Sequence, residues 1–220
     1  MDSSIGKKVL VAVTGLILAL FVLSHMLGNL LLFAGPETFN TYSHNLVTNP
    51  LIYFVEGILV LVFVVHVGLA INLTYINRMA RCSSYALKPN GEKAPGLASQ
   101  TMIFHGLYLF VFVIVHLITF KFGTVYMYKE TGMRDIYRLV LEVFQSPLYV
   151  GGYIISMAVL GVHLYHGVSS VFQTWGFNHP KYTIWLKNFG AFYAIFVAVG
   201  FMASPILGLV KIYQTMIGIN

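Results

Sequence analysis

The sequence predicts an all-α integral membrane protein with five transmembrane helices, and three observations support this fold class. Of the 220 residues, 58% are hydrophobic and only 9% are charged, whereas a soluble domain carries about 25% charged residues. Five apolar stretches are long enough to cross a hydrocarbon layer of about 30 Å, which takes about 20 helical residues. The sequence also lacks the alternating apolar pattern of membrane barrel strands. We therefore expect one transmembrane domain over residues 1–220.

The predicted spans cover residues 9–34, 51–76, 101–122, 147–172 and 188–211. Each is expected to be helical, because a backbone in lipid must satisfy its own hydrogen bonds. The first four are expected to form a four-helix bundle. The basic start at Lys7-Lys8 is similar to that of a signal peptide, but the following apolar run is too long for a signal-peptide core. We therefore interpret it as a retained first span.

The connections between the spans are predicted to be short. Turn signals mark the first at Gly35-Pro36 and Asn49-Pro50, the second at Pro89-Asn90-Gly91 and the brief fourth at His179-Pro180. The third is predicted to contain a short surface helix. Its apolar residues recur at helical spacing: Ile136, Leu139, Val140, Val143 and Phe144.

The distribution of Lys and Arg predicts a cytoplasmic N-terminus in the inner (cytoplasmic) membrane. The first connection contains no Lys or Arg, whereas the second contains Arg78, Arg81, Lys88 and Lys93. This topology accounts for the basic excess, 13 Lys and Arg against 7 Asp and Glu, so we expect a lipid bilayer and no nucleic acid as partner. The single cysteine, Cys82, excludes an internal disulfide, and the absence of a C-x-x-C-H motif excludes covalently attached c-type haem.

Four histidines are the main candidate functional residues, one inside each of the first four spans: His25, His66, His116 and His163. Each lies 15 or 16 residues from the start of its span, which is roughly 23–24 Å along a helix. Successive helices run in opposite directions. His25 and His116 are therefore predicted at one depth, near the outer face. His66 and His163 are predicted near the inner face, roughly 15 Å away.

Two histidine pairs at two depths meet the requirement of two stacked b-type haems, because haem iron takes one imidazole from each side. We expect the His25/His116 pair to hold an outer haem iron and the His66/His163 pair an inner one, as diagonal pairs of the bundle. The alternative is interhelical hydrogen bonding, but the matched depths favour haem. Each ligand is expected to donate its Nδ1–H to the carbonyl one turn earlier. Those carbonyls belong to Phe21, Val62, Phe112 and Val159.

Short stretches around these histidines form an ordered set over nearly the whole chain. They are Thr14-Gly15, His25-Met26-Leu27-Gly28-Asn29, Phe39-Asn40, Tyr42-Ser43-His44, His66, His116, His163-Leu164-Tyr165-His166-Gly167 and Gln173-Thr174-Trp175-Gly176. With this set the sequence resembles the single-chain dihaem cytochrome b subunits of succinate dehydrogenases and fumarate reductases.

The resemblance implies a membrane-anchor subunit with a flavoprotein and an iron–sulfur protein as cytoplasmic partners. It implies electron transfer between iron–sulfur clusters, the inner haem, the outer haem and a quinone, for which the dihaem form favours menaquinone. Succinate chemistry would belong to the flavoprotein, and the working direction is left open. Some fumarate reductases of the family carry a proton-pathway glutamate two residues before the fourth-helix ligand. Gly161 stands there, so the resemblance does not extend to that pathway.

Two further histidines are candidates for contact with the inner haem. His166 follows His163 by one turn and is an alternative ligand, but His163 stands twelve residues before Trp175, as the family ligand does. His166 is expected either to contact a haem propionate or to form a helix–helix hydrogen bond. For His105, three turns before His116 on the same helix face, a propionate contact is weighed against an interfacial histidine.

Glu56 is the one acidic residue well inside a predicted span, and an intramembrane carboxylate is by default a functional hypothesis. It is expected at the level of the outer pair, where it can relay protons to a quinone; a hydrogen-bonded structural role is the alternative. His44 in the first connection is a second candidate, with an ordinary exposed histidine as the alternative.

Two other functions remain open. One is the dihaem cytochrome b subunit of a membrane-bound hydrogenase or formate dehydrogenase, in which the histidine spacing differs and the fourth-helix signature is absent. The other belongs to a different class, a proton-coupled transporter with a histidine relay. A transporter predicts no haem spectrum and helices that are broken at mid-membrane.

Overall fold

The computed structural model describes residues 4–80, 100–177 and 179–216. Seven α-helices follow one another within these ranges: α1 Ser4–Leu30, α2 Pro36–Thr48, α3 Ile52–Met79, α4 Met102–His116, α5 Ile136–Val143, α6 Pro147–Thr174 and α7 Pro180–Met216. A 3-10 turn extends α1 over Leu31–Ala34, and a π-helical turn extends α4 over Leu117–Lys121. The turn signals at Pro89-Asn90-Gly91, together with Cys82 and three of the basic residues that set the predicted orientation, lie outside the described residues.

Five helices are long and apolar enough to cross a membrane, as judged by length and composition: Ser4–Ala34, Ile52–Met79, Met102–Lys121, Pro147–Thr174 and Lys181–Gln214. The predicted all-α, five-span fold class is thereby confirmed. The fifth span begins earlier than the predicted residue 188, so Lys181 and Lys187 lie on the first turns of α7 and not in a loop. Both are exposed, and long lysine side chains can extend from a helix end towards water while their stems cover apolar surface.

The first four spans pack as a bundle in which α1 contacts α3 and α6, while α4 contacts α6 and, more loosely, α3. The diagonal pairs are therefore α1 with α4 and α3 with α6, as expected. The fifth span, α7, lies outside this arrangement against α6 and α1. An apolar cluster joins these three helices, and the Tyr193 hydroxyl donates to the Ala19 carbonyl at 2.5 Å.

The first connection was predicted from turn signals alone, and the structure corrects this by placing the 13-residue helix α2 there. Gly35 allows the change of direction after α1, because its φ of 97° lies in a region that side chains disfavour. Pro36 then occupies the first turn of α2, where its missing N–H costs no helical hydrogen bond. A glycine followed by proline is therefore a helix start here as well as a turn.

Helix α5 confirms the surface helix predicted for the third connection. Asp135 caps its N-terminus by accepting from the Arg138 N–H at 3.0 Å. Asn40 of α2, which is fully buried, donates to Asp135 at 2.9 Å and accepts from the Tyr137 N–H at 3.0 Å. Two hydrogen bonds of Asn40 thus hold α2 and α5 together at the end of the bundle where α1 ends.

Candidate functional site

His25 and His116 meet across the diagonal between α1 and α4. Their ring centroids are 5.8 Å apart and the ring planes are inclined by 83°. An iron atom about 2 Å from one nitrogen of each ring would hold two imidazole centres roughly 6 Å apart. The spacing of the His25/His116 pair therefore suits two axial ligands of one haem iron.

The surroundings of the His25/His116 pair are aromatic. Phe21 stacks on His25 with centroids 5.5 Å apart, and Phe201 of α7 approaches His25 at 5.7 Å. The rings of Phe112, Phe120 and Tyr153 surround His116. These side chains make an apolar environment that suits the flat faces of a porphyrin.

Two polar side chains reach the imidazoles of this pair. The Tyr153 hydroxyl lies 3.2 Å from His116 Nδ1, so it can accept the proton that an Nε2-ligated imidazole keeps on Nδ1. The Asn29 side-chain amide lies 3.4 Å from His25 Nε2 and donates to the His25 carbonyl at 2.8 Å. Iron bound to His25 Nε2 would compete with Asn29 for that nitrogen. The hydrogen bond from Asn29 to the His25 carbonyl would remain.

The second pair combines His66 of α3 with His163 of α6. His66 Nδ1 lies 3.1 Å from Thr14 Oγ1 on α1. His163 lies within electrostatic range of His66, and also of His105 and His166. His105 and His166, the two secondary candidates of the sequence, therefore lie near enough to His163 to influence it electrostatically.

Two imidazole nitrogens near the His66/His163 pair lack a hydrogen-bond partner among the described residues. His105 Nδ1 and His163 Nδ1 are both buried without a hydrogen bond from any described residue. An unsatisfied buried polar atom costs about 1–3 kcal/mol, so these atoms are suited to a further polar group at the site. The propionates of a haem b are such polar groups. The haem iron would be bound by the lone pairs of the His66 and His163 imidazoles.

The two pairs lie at two levels, and three helices give the same separation. On α1, Thr14 contacts His66 and His25 contacts His116, eleven residues later. On α4, a Cβ at Gly106 would lie 3.7 Å from the His163 ring, ten residues before His116. On α6, Tyr153 contacts His116 ten residues before His163. Ten or eleven helical residues correspond to roughly 15–16 Å.

The expectation for the Nδ1 atoms was wrong at three of the four histidines. His66 faces the Thr14 hydroxyl, His116 faces the Tyr153 hydroxyl, and His163 Nδ1 has no partner among the described residues. The carbonyls one turn earlier already accept the N–H groups of the helix. Hydroxyls from neighbouring helices approach the outward side of the ring more directly. No motif identified Tyr153, whereas Thr14 belongs to the Thr14-Gly15 stretch of the resemblance, which assigns it no role.

Glu56 lies ten residues before His66 on α3, roughly 15 Å along the axis, which brings it to the level of the His25/His116 pair. It forms an ion pair with Lys121 at the end of the π-helical turn, and their side chains are 39% and 43% exposed. Sequence reasoning weighed a proton relay against a hydrogen-bonded structural role for Glu56, and it did not identify Lys121 as the partner. His44, expected in an exposed loop, lies half-buried on α2.

No protein-family model matches the chain, and no match is found among curated proteins or solved structures. Among the residues in the described ranges, no group of three or more His, Cys, Asp and Glu side chains is placed to hold a metal ion. A bis-histidine haem needs two protein ligands per iron, since the porphyrin supplies the other four.

Proposed function

We propose that this chain is the membrane-anchor dihaem cytochrome b subunit of a succinate dehydrogenase or fumarate reductase, and that it carries electrons between an iron–sulfur subunit and a quinone. The observation that carries the proposal is the close approach of His25 and His116 across one diagonal of the bundle, with His66 and His163 within electrostatic range on the other diagonal. The ordered motifs around these histidines select this family from other haem proteins.

His25 and His116 would hold one haem b, and His66 and His163 the other. When bound, each haem supplies reversible one-electron chemistry at its iron. The chain's own contribution is to hold four neutral imidazoles in a bundle that excludes water. The roughly 15 Å between levels lets two such groups span much of a hydrocarbon layer of about 30 Å.

The partners follow from charge and from the resemblance. Lys7, Lys8 and Arg78 lie at the ends of spans that would share one membrane face, which the positive-inside rule assigns to the cytoplasm. The iron–sulfur and flavoprotein subunits would dock there, next to the His66/His163 level. Electrons would then pass between this level and the His25/His116 level, and succinate itself would be handled by the flavoprotein.

Quinone would bind at the far end, near the His25/His116 pair. A quinone takes up two protons with two electrons, so its site needs a proton route. Glu56 lies at this level and pairs with Lys121, which gives the carboxylate the partner that a charge in lipid requires. Glu56 is our candidate for the route, and His44 on α2 is the second. The dihaem form favours menaquinone.

The test is to purify the chain with an affinity tag from membranes of its native host and to record redox spectra. We expect two b-type haems per chain, and co-purification of a flavoprotein with an iron–sulfur protein. Haem with a hydrogenase or a formate dehydrogenase as partner would assign the chain to that class of complex instead. A protein without any haem spectrum would refute the proposal and favour the proton-coupled transporter.

A further inference from the structure

We propose that Thr14 is a positioning residue for His66, and that its hydroxyl accepts the Nδ1–H of this imidazole and thereby lowers the reduction potential of the haem at the His66/His163 pair. The inference rests on the proposed function, since it concerns a haem ligand. It adds a residue on α1, a helix that supplies a ligand only to the other level.

The direction of this hydrogen bond follows from the single hydroxyl proton of Thr14. Thr14 Oγ1 lies 2.7 Å from the Leu10 carbonyl oxygen, 3.2 Å from that of Val11 and 3.1 Å from His66 Nδ1. A threonine inside a helix commonly donates to the carbonyl four residues earlier, and Leu10 is also the nearest acceptor. The hydroxyl oxygen is then left to accept a proton from His66 Nδ1.

The consequence for His66 is a defined tautomer. With its proton on Nδ1, the neutral imidazole keeps its lone pair on Nε2, which is the nitrogen that binds haem iron. The opposite arrangement, in which Thr14 donates to Nδ1, would place the imidazole proton on Nε2 and block ligation. The Leu10 carbonyl therefore sets the tautomer of His66 indirectly, because it accepts the proton of the Thr14 hydroxyl.

Gly15, next to Thr14, lets the His66 ring approach α1 closely enough for the hydrogen bond with Thr14. A Cβ at Gly15 would lie 3.1 Å from His66 Cε1 and 3.6 Å from Nδ1, so the imidazole lies directly against the α1 backbone. Thr14 is only 7% exposed. Water is therefore a poor substitute for the hydroxyl if Thr14 is replaced by an apolar residue.

The other ligand of this haem makes the effect specific to Thr14. His163 Nδ1 is buried without a hydrogen-bond partner among the described residues. Of the two paired imidazoles at this level, His66 is thus the one whose Nδ1 has an acceptor. A single substitution at position 14 removes the hydroxyl acceptor and leaves the backbone of Val11, which also lies within hydrogen-bonding reach of His66.

The sign of the effect follows from ligand basicity. Donation from Nδ1–H to an acceptor raises the basicity of the metal-bound nitrogen, and a more basic ligand stabilises ferric over ferrous iron. Hydrogen bonding around the iron is one of the protein's means of setting haem potentials. Loss of the Thr14 acceptor should therefore raise the potential of this haem.

The experiment is an optical redox titration of the purified holo-complex, with Thr14→Val compared with Thr14→Ser and the unchanged protein. His66→Ala assigns the spectral component of the haem at this level. We expect Thr14→Val to shift the midpoint potential of that haem to a more positive value and to leave the other haem unchanged. Thr14→Ser retains the acceptor and should titrate as the unchanged protein does.

Several outcomes would overturn the inference: no shift in Thr14→Val, a negative shift, an equal shift of both haems, or loss of the haem from both variants. The last would show that the hydroxyl, which Thr14→Ser retains, does not account for the role of residue 14. Loss of this haem from Thr14→Val alone would support the role of the hydroxyl. An unchanged protein that binds no haem refutes the proposed function itself, whereas two normal haems with an unshifted potential refute only the role of Thr14.

Discussion

The two histidine levels use the same ligand type in different surroundings. The His25/His116 pair lies among phenylalanines and a tyrosine, and its two ring centroids are 5.8 Å apart. The His66/His163 pair lies among further histidines, a threonine and glycines, with two buried nitrogens that lack a described partner. The His25/His116 level is surrounded by apolar side chains. The His66/His163 level is polar, and the α1 backbone at Gly15 lies close to the His66 ring.

Under the proposed function, this difference would let a single bundle distinguish two chemically identical cofactors. Four imidazoles alone would give two equivalent haems. Hydrogen bonds to the ligands and the polarity around them set haem potentials, and these are the features that differ between the levels. The two haems should therefore respond separately to substitutions, and each of the following predictions tests that independence.

The largest effect is expected from removal of a ligand. His66→Ala or His163→Ala should abolish or loosen the haem at their shared level and leave most of the other haem spectrum, because the levels are roughly 15 Å apart. His25→Ala is the matched variant for the other level. Haem content and low-temperature optical spectra measure the outcome. Equal loss of both haems from every correctly assembled variant would contradict separate pairs.

A large effect on turnover, with no effect on the spectra, is expected at Glu56. Glu56→Gln keeps the size of the side chain but cannot titrate, and it loses the ion pair with Lys121. If Glu56 relays protons, quinone-linked turnover of the assembled complex should fall by roughly 10²-fold, the lower end for general acid–base catalysis, while both haems remain.

Glu37→Gln is the matched control, because Glu37 is an exposed carboxylate in the first turn of α2 at the same end of the bundle. It should leave turnover unchanged. Normal turnover in Glu56→Gln with intact haems would make the ion pair structural, and the proton route would then be sought through His44.

An intermediate effect is expected where the backbone crowds a ligand. A methyl group at Gly15 would lie 3.1 Å from the His66 ring, whereas one at Gly106 would lie 3.7 Å from the His163 ring, an ordinary contact. Overpacking costs about 1–3 kcal/mol, so Gly15→Ala should weaken haem binding at this level roughly 5- to 150-fold. Gly106→Ala should bind haem normally. Similar haem contents in the two variants would show that the α1 backbone does not constrain His66.

The smallest effect is expected at Tyr153. The Tyr153 hydroxyl lies 3.2 Å from His116 Nδ1. Among the described residues, no carbonyl accepts the proton of this hydroxyl. A hydroxyl that donates to a carbonyl is the stronger acceptor, because hydrogen bonds in a chain polarise one another. Tyr153→Phe should therefore raise the potential of the His25/His116 haem by less than Thr14→Val raises that of the other. A larger shift than that of Thr14→Val would reverse the ranking.

Local patterns of the sequence were sufficient for much of this architecture. The five spans are recognisable because apolar length is a property of consecutive residues. The surface helix α5 follows from the spacing of Leu139, Val140 and Phe144, all of which are buried. Helix α2 was missed because much of its stabilisation is remote: its buried residue Asn40 bonds to Asp135, 95 residues away.

By itself, the sequence determined the level of each histidine along the bundle, because helical rise is constant and a count of residues is a distance along the axis. It did not determine which side chain meets which imidazole. Thr14 and His66 are 52 residues apart, Tyr153 and His116 are 37 apart, and Lys121 and Glu56 are 65 apart. Such pairs depend on how each helix is rotated against its neighbours, and that rotation is set by packing across the whole bundle.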